Sequence, residues 1–146
     1  LFVATLVIDT NVFVGALLGA GGSARDVVRR CLGGEYQPLM GAALFLEYES
    51  VLGRERLFAR SPLTRGERRA VMEAFFTVSQ WTEVYYLWRP NLPDEGDNHL
   101  IELAVAGNAE GIVTRNRRDF ERSELRFPQV RIVTPAQCLK EYPCLP

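Results

Sequence analysis

A chain of 146 residues that is 47% hydrophobic and 24% charged has the size and apolar content of one globular domain, residues 1–146, able to bury a core. A formal net charge of -1 excludes a protein whose overall field gathers nucleic acid, and no apolar run reaches the roughly 20 residues of a membrane span. The three cysteines, Cys31, Cys138 and Cys144, are odd in number and lack paired metal-ligand spacing, which fits a reducing cytoplasm and argues against zinc.

The opening run L-F-V-A-T-L-V-I-D is too short and too soon polar for a secretory leader, so the expected location is cytoplasmic. Within it, residues 5–9 (T-L-V-I-D) read as a strand buried on both faces that ends in Asp9. Residues 12–18 are apolar and helical in character. After the glycine loop at 19–22, Ser23 is placed to cap a helix that stops at Gly33 and Gly34. The loop is no phosphate cradle, because no Lys-Ser/Thr pair follows it.

Residues 37–41 form a second short strand and residues 42–53 a second helix, whose apolar stripe is Leu44, Tyr48, Val51 and Leu52. Glu47 falls on that stripe, and an inward carboxylate needs a partner, either an arginine or a metal. Thr64 and Glu67 spell a capping box for a helix to about residue 80, with Val71, Ala74, Phe75 and Val78 as the buried face. Residues 81–87 suit a third strand, closed by a loop containing Pro90 and Pro93. A helix from about residue 94 carries Leu100, Leu103 and Ala104 inward and stops at Gly107-Asn108. Residues 110–114 and 131–134 are the fourth and fifth strands, and Pro135 opens a last helix to about residue 141.

Strands alternate with helices, so the expected fold is a three-layer α/β/α sandwich with a central parallel sheet of four to five strands. Sites in such sheets lie at the carboxyl ends of the strands, where the strand order reverses. Asp9, Glu47, Asp94, Asp97, Asn116 and Asp119 all fall at that edge, contributed by four separate pieces of chain. Each has an ordinary explanation alone: Asp94 is a good helix cap, Asp97 suits a first helical turn and Asp119 a short turn. Together they form a nest of carboxylates that would repel one another without a cation, and an oxygen donor set suits Mg²⁺ or Mn²⁺. His99, two residues from Asp97, is expected on another side of the helix. The positive charge is almost all arginine, Lys140 being the only lysine, and Arg115, Arg117 and Arg118 lie beside the nest.

Four segments in this order resemble the PIN-domain nucleases: V-I-D-T-N-V-F (7–13), L-F-L-E-Y-E-S-V-L (44–52), D-x-x-D-N-x-x-I-x-L-A (94–104) and I-V-T-R-N-x-x-D-F (112–120). The subgroup most resembled is that of the VapC-like toxins of bacterial toxin-antitoxin systems. The resemblance implies a metal-dependent endoribonuclease with Mg²⁺ or Mn²⁺ as cofactor, RNA as substrate, a small antitoxin protein as partner, and a homodimer. It gives Asp9, Glu47 and Asp97 the positions of the family's first three acids, and Asn11 and Thr114 the polar positions flanking the metal. The family commonly has Asp two residues after the fourth-strand threonine; this chain has Asn116 there, with Asp119 three residues on to supply the missing carboxylate. Asp9, Glu47, Asp97 and Asp119 are thus the expected catalytic and metal residues. Asn11, Asp94, Thr114, Arg115, Asn116, Arg117 and Arg118 surround them, the three arginines holding the RNA backbone. Two alternatives stand beside this: an inactive PIN-like module that binds RNA or protein, and a phosphohydrolase, which would want a second Asp where Asn11 stands.

Overall fold

A computed structural model of the chain describes residues 3–19, 22–84, 98–121 and 130–143, without the side chains of residues 98, 119 and 121. Five strands, β1 (Ala4–Ile8), β2 (Tyr36–Met40), β3 (Gln80–Trp81), β4 (Gly111–Val113) and β5 (Arg131–Val133), form one sheet in the order β3-β2-β1-β4-β5. Every pairing is parallel, with Leu6 opposite Gly111 and Ile8 opposite Val113 at the β1–β4 junction. The chain builds outward from β1 on one side and returns to build β4 and β5 on the other. The switch point therefore lies between β1 and β4.

Seven helices are described: α1 (Thr10–Leu18), α2 (Ser23–Leu32), α3 (Ala42–Leu52), α4 (Arg65–Val78), α5 (Asn98–Ala106), α6 (Arg117–Glu121) and α7 (Pro135–Glu141). α2 packs on α1, α4 and α7, whereas α5 lies against β1, β2 and β4. The result is the expected three-layer α/β/α arrangement around an all-parallel five-stranded sheet. Leu6, Val7 and Ile8 of the central strand are essentially fully buried, as a strand covered on both faces requires. At about 1.5–3 kcal/mol per fully buried aliphatic side chain, this strand anchors the core. Phe13, Tyr48 and Phe75 meet above it, with ring centroids 5.0–5.8 Å apart.

Local signals set most element ends. Thr64 and Glu67 make the capping box of α4, and Thr134 with Gln137 makes a second one at α7, where Pro135 occupies the first turn. α5 stops through a left-handed Asn108 at φ 54°, whose N–H donates to Val105 O while the Ala109 N–H donates to Ala104 O. Gly107 is required for a different reason: a Cβ there would lie 2.4 Å from Leu39 Cδ1, and Leu39 is fully buried in β2.

Three expectations change in detail. Ser23 is the first helical residue of α2 rather than its cap; Gly22, at φ 104°, takes the cap position without any side-chain bond. The buried face of α4 runs through Arg68, Met72 and Phe75, with Val71 and Val78 half-buried beside it and Ala74 exposed, because the inward face lies slightly later in phase than the apolar stripe suggests. Only Gln80 and Trp81 of the third strand are paired within the described residues, and Trp81 is half exposed. Residues 82–84, expected in that strand, are described but lie outside it; residues 85–87 and the proline loop lie outside the described residues.

Candidate active site at the carboxyl edge

Asp9 directly follows β1, and its backbone N–H continues the ladder by donating to Val113 O. It occupies the cap position of α1 with extended backbone (φ -60°, ψ 145°), yet its side chain does not cap the helix. The carboxylate turns instead to β4, where Oδ2 accepts from the Thr114 hydroxyl at 2.7 Å. Thr114 Oγ1 in turn accepts from the Asn116 backbone N–H at 3.0 Å. Both side chains are buried, Asp9 at 4% exposure and Thr114 at 0%. Behind Asp9, the Tyr48 hydroxyl donates to Ile8 O at 2.7 Å and ties α3 to the end of β1. Burial holds that phenol well above its ordinary pKa, so it remains a donor.

Glu47 approaches from α3. Its Oε1 accepts from the Thr10 hydroxyl, and its Oε2 lies 2.9 Å from His99 Nε2 on α5. The partner of the inward carboxylate is therefore a threonine and the only histidine, rather than an arginine. His99 does not point away from the nest, because α3 packs against α5 and brings its Nε2 to Glu47. Sequence reasoning placed His99 relative to Asp97 on the same helix; the pairing that matters crosses to another helix, which periodicity cannot reveal. Thr10 was missed as well, although its position next to Asp9 in D-T-N was in view.

The two acids titrate in opposite senses. Burial pushes the Asp9 carboxyl above its ordinary range; the Thr114 hydrogen bond opposes the shift and the Glu47 charge adds to it. The His99 contact holds the Glu47 carboxyl below its ordinary range, against the effect of burial and with help from Thr10. With Glu47 ionised, Nε2–H of His99 is the donor.

The remaining expected residues surround this pair. The backbone N–H of Arg115 donates to Asn11 Oδ1 at 3.2 Å, which pins the start of the β4–α6 turn to α1. The Arg115 guanidinium folds back over α1, where a Cβ at Gly15 would meet Nη1 at 3.2 Å. Arg115, Asn116, Arg117 and Arg118 are all exposed. Asp119 lies in α6, but its side chain is outside the described residues, as are Asp94 and Asp97 altogether. Among the described residues no group of three His, Cys, Asp or Glu side chains is arranged to hold a metal ion. The part that is described does fit a hard divalent cation. Asp9 is a buried carboxylate without a basic partner of its own among the described residues, it feels a second carboxylate nearby, and the local donors are oxygens.

Comparisons with known proteins bear on the family and the fold. The chain matches the family model described as PIN domain over residues 5–118. No curated protein matches it. Among solved structures it is similar to VapBC2 from Rickettsia felis bound to a DNA fragment from their promoter, with 12% identity, a TM-score of 0.59, and coverage of 89% of this chain and 98% of that one. It is also similar to PAE2754 from Pyrobaculum aerophilum, with 12% identity, a TM-score of 0.60, and coverage of 96% and 89%. At such identity the two structures speak for the fold, while the family model spans most of the chain. The chain belongs to the PIN-domain family, whose members are generally nucleases.

Proposed function

We propose that this protein is an Mg²⁺- or Mn²⁺-dependent endoribonuclease and the toxin of a toxin-antitoxin pair. The observation that carries the reading is the buried Asp9 at the β1–β4 switch point, with its charge disfavoured by burial and by Glu47, in a chain of the PIN-domain family. Asp9, Glu47, Asp97 and Asp119 are the residues that would hold the cation. When bound, the cation neutralises charge on the phosphate and lowers the pKa of an attacking water.

The protein's own residues prepare that chemistry. Thr114 fixes the orientation of Asp9, and its hydroxyl is itself aligned by the Asn116 N–H. Thr10 and His99 hold both oxygens of Glu47, so this carboxylate is preorganised rather than free to rotate. Arg115, Arg117 and Arg118, exposed beside the edge, hold the RNA backbone, with Asn11 fixing the turn that carries them. The toxin assignment draws on the likeness to VapBC2; a small antitoxin protein as partner and a homodimer are part of the same proposal. A cytoplasmic setting goes with these; no helix among the described residues is long and apolar enough to cross a membrane.

One observation favours a second reading, that of a binding module without activity: Asn116 places an uncharged amide where the family commonly has a carboxylate, and its described bond is made by backbone. A panel of single-stranded and transfer RNAs incubated with Mn²⁺ separates the two. Cleavage that disappears with chelator is expected; intact RNA together with no Mn²⁺ binding by calorimetry would favour the module.

A further inference from the structure

We infer that the cavity beside the carboxyl edge is a subsite for a guanine base of the RNA substrate, seated next to the scissile phosphate. This rests on the nuclease reading above and names what that edge would recognise. The cavity, of about 710 Å³, lies between the start of α3, the chain after β3 and the face of α5 that carries His99 and Glu102. That volume falls within the range of small-molecule sites, roughly 300–1,000 Å³. His99 belongs to both places: its Nε2 meets Glu47, and the residue also lines the cavity. Whatever sits in the cavity is therefore one imidazole away from the acidic edge, the separation expected of a nucleotide flanking the cleaved bond.

The lining selects a neutral base over a phosphate. Glu102, 3% exposed, and Glu83 make the walls acidic, which repels phosphate and favours a ligand with a hydrogen-donating edge. Guanine is the base that presents two adjacent donors, N1–H and the N2 amine, to a carboxylate. Trp81 supplies the stacking surface. Its Nε1–H donates to Phe76 O at 3.2 Å, and Phe45 and Phe76 pack on it at 5.5 and 6.1 Å, so the indole is held in place. It is nevertheless 53% exposed. A fixed, exposed indole is the kind of platform on which single-stranded RNA bases stack. Ala42, Ala43 and Leu44, whose N–H groups open α3, also line the cavity; Gly41 at the cap position gives them no side-chain acceptor. Those donors suit the guanine O6.

Two measurements test the assignment independently of each other. Metal-free protein in chelator is titrated with guanosine, adenosine, cytidine and uridine and followed by NMR. Guanosine is expected to bind in the millimolar range, at least about 5-fold more tightly than the others; Glu102→Gln is expected to remove that preference and Trp81→Ala to weaken all four nucleosides together. Absence of any preference among the nucleosides overturns the proposal, and thermal melting of both variants verifies that they are folded. In the second measurement, RNAs differing at single positions are cleaved with Mn²⁺. Cleavage beside guanine is expected to fall about 10-fold when that base is changed to adenine, and this discrimination is expected to vanish in Glu102→Gln. Cleavage by the wild type without base preference overturns the subsite and leaves the nuclease reading intact. Guanosine binding through Trp81 and Glu102 in a protein that cuts no RNA supports a guanine site and overturns the nuclease reading.

Discussion

Two clusters of charged residues hold their charges in opposite ways. Near the start of α4, Glu55 accepts from Arg68 at 2.7 Å and lies 3.2 Å from Arg65; Arg68 also donates to Leu63 O and stacks over the Phe58 ring at 4.8 Å. Each charge there is answered by another side chain, and an added cation would gain little. At the carboxyl edge, Asp9 and Glu47 are held by hydroxyls and an imidazole, and among the described residues no arginine pairs with either. Negative charge is left over at that edge. The difference separates a cluster that completes itself from one left with unanswered charge, which is the one the proposed function assigns to a cation.

Removing the leftover charge should have the largest effect. Asp9→Asn is expected to reduce Mn²⁺-dependent cleavage at least about 100-fold, on the order of 3 kcal/mol of transition-state stabilisation. The metal-free variant should melt no lower than wild type, because a desolvated charge is gone. Wild-type cleavage rates in this variant would break the comparison at its root. The complementary change, Arg68→Ala, should lower stability by about 1–3 kcal/mol in urea denaturation and leave the rate per folded molecule unchanged. That range is below the one for fully buried pairs because Glu55 is half exposed.

Smaller effects sharpen the picture. His99→Ala is expected to weaken metal binding about 10-fold by calorimetry, with His99→Gln retaining much of it, since an amide N–H can replace Nε2–H as donor to Glu47. If glutamine proved no better than alanine, the hydrogen bond would not be what matters. pH should resolve the two acids in metal-free protein. Asp9, raised in the folded state, destabilises it increasingly as pH climbs from the ordinary carboxylate range through the raised value. Glu47, lowered, contributes stability above its unfolded pKa and loses it as pH falls through its folded one. Melting curves should therefore show Asp9→Asn above wild type at about pH 7 and Glu47→Gln below it, Asp9→Asn converging on wild type at the bottom of the ordinary carboxylate range and Glu47→Gln only as pH falls further, through its lowered folded value. Parallel curves at all pH values would contradict the assignment. The smallest effect expected is a gain of a few fold in Mn²⁺ affinity for Asn116→Asp, read by calorimetry, from one added carboxylate at the edge.

The fold was legible because its signals are local. A β-branched run ending in an acid, a threonine three residues before a glutamate, and a Gly-Asn stop each act within one element, and each is found close to its expected place. Asp9 could be placed at the switch point from chain alternation alone. What escaped was contact between elements: His99 meeting Glu47, Thr10 sharing the same carboxylate, and Thr114 turning Asp9 away from the helix it precedes. Those depend on the rotation and spacing of packed helices, which hydrophobic periodicity leaves open. The same reason explains the phase of α4, where Met72 rather than Ala74 faces inward.

Gly107 shows where that spacing is set. The missing methyl group at the end of α5 lets the helix rest on Leu39, and His99 sits eight residues earlier, about 12 Å along the axis. A side chain at 107 would act as a wedge under one end of a lever: a tilt of about 10° would swing His99 by about 2 Å, enough to part it from Glu47. The alignment of the carboxyl edge is thus governed partly from the opposite end of α5, at a residue remote from both Glu47 and His99.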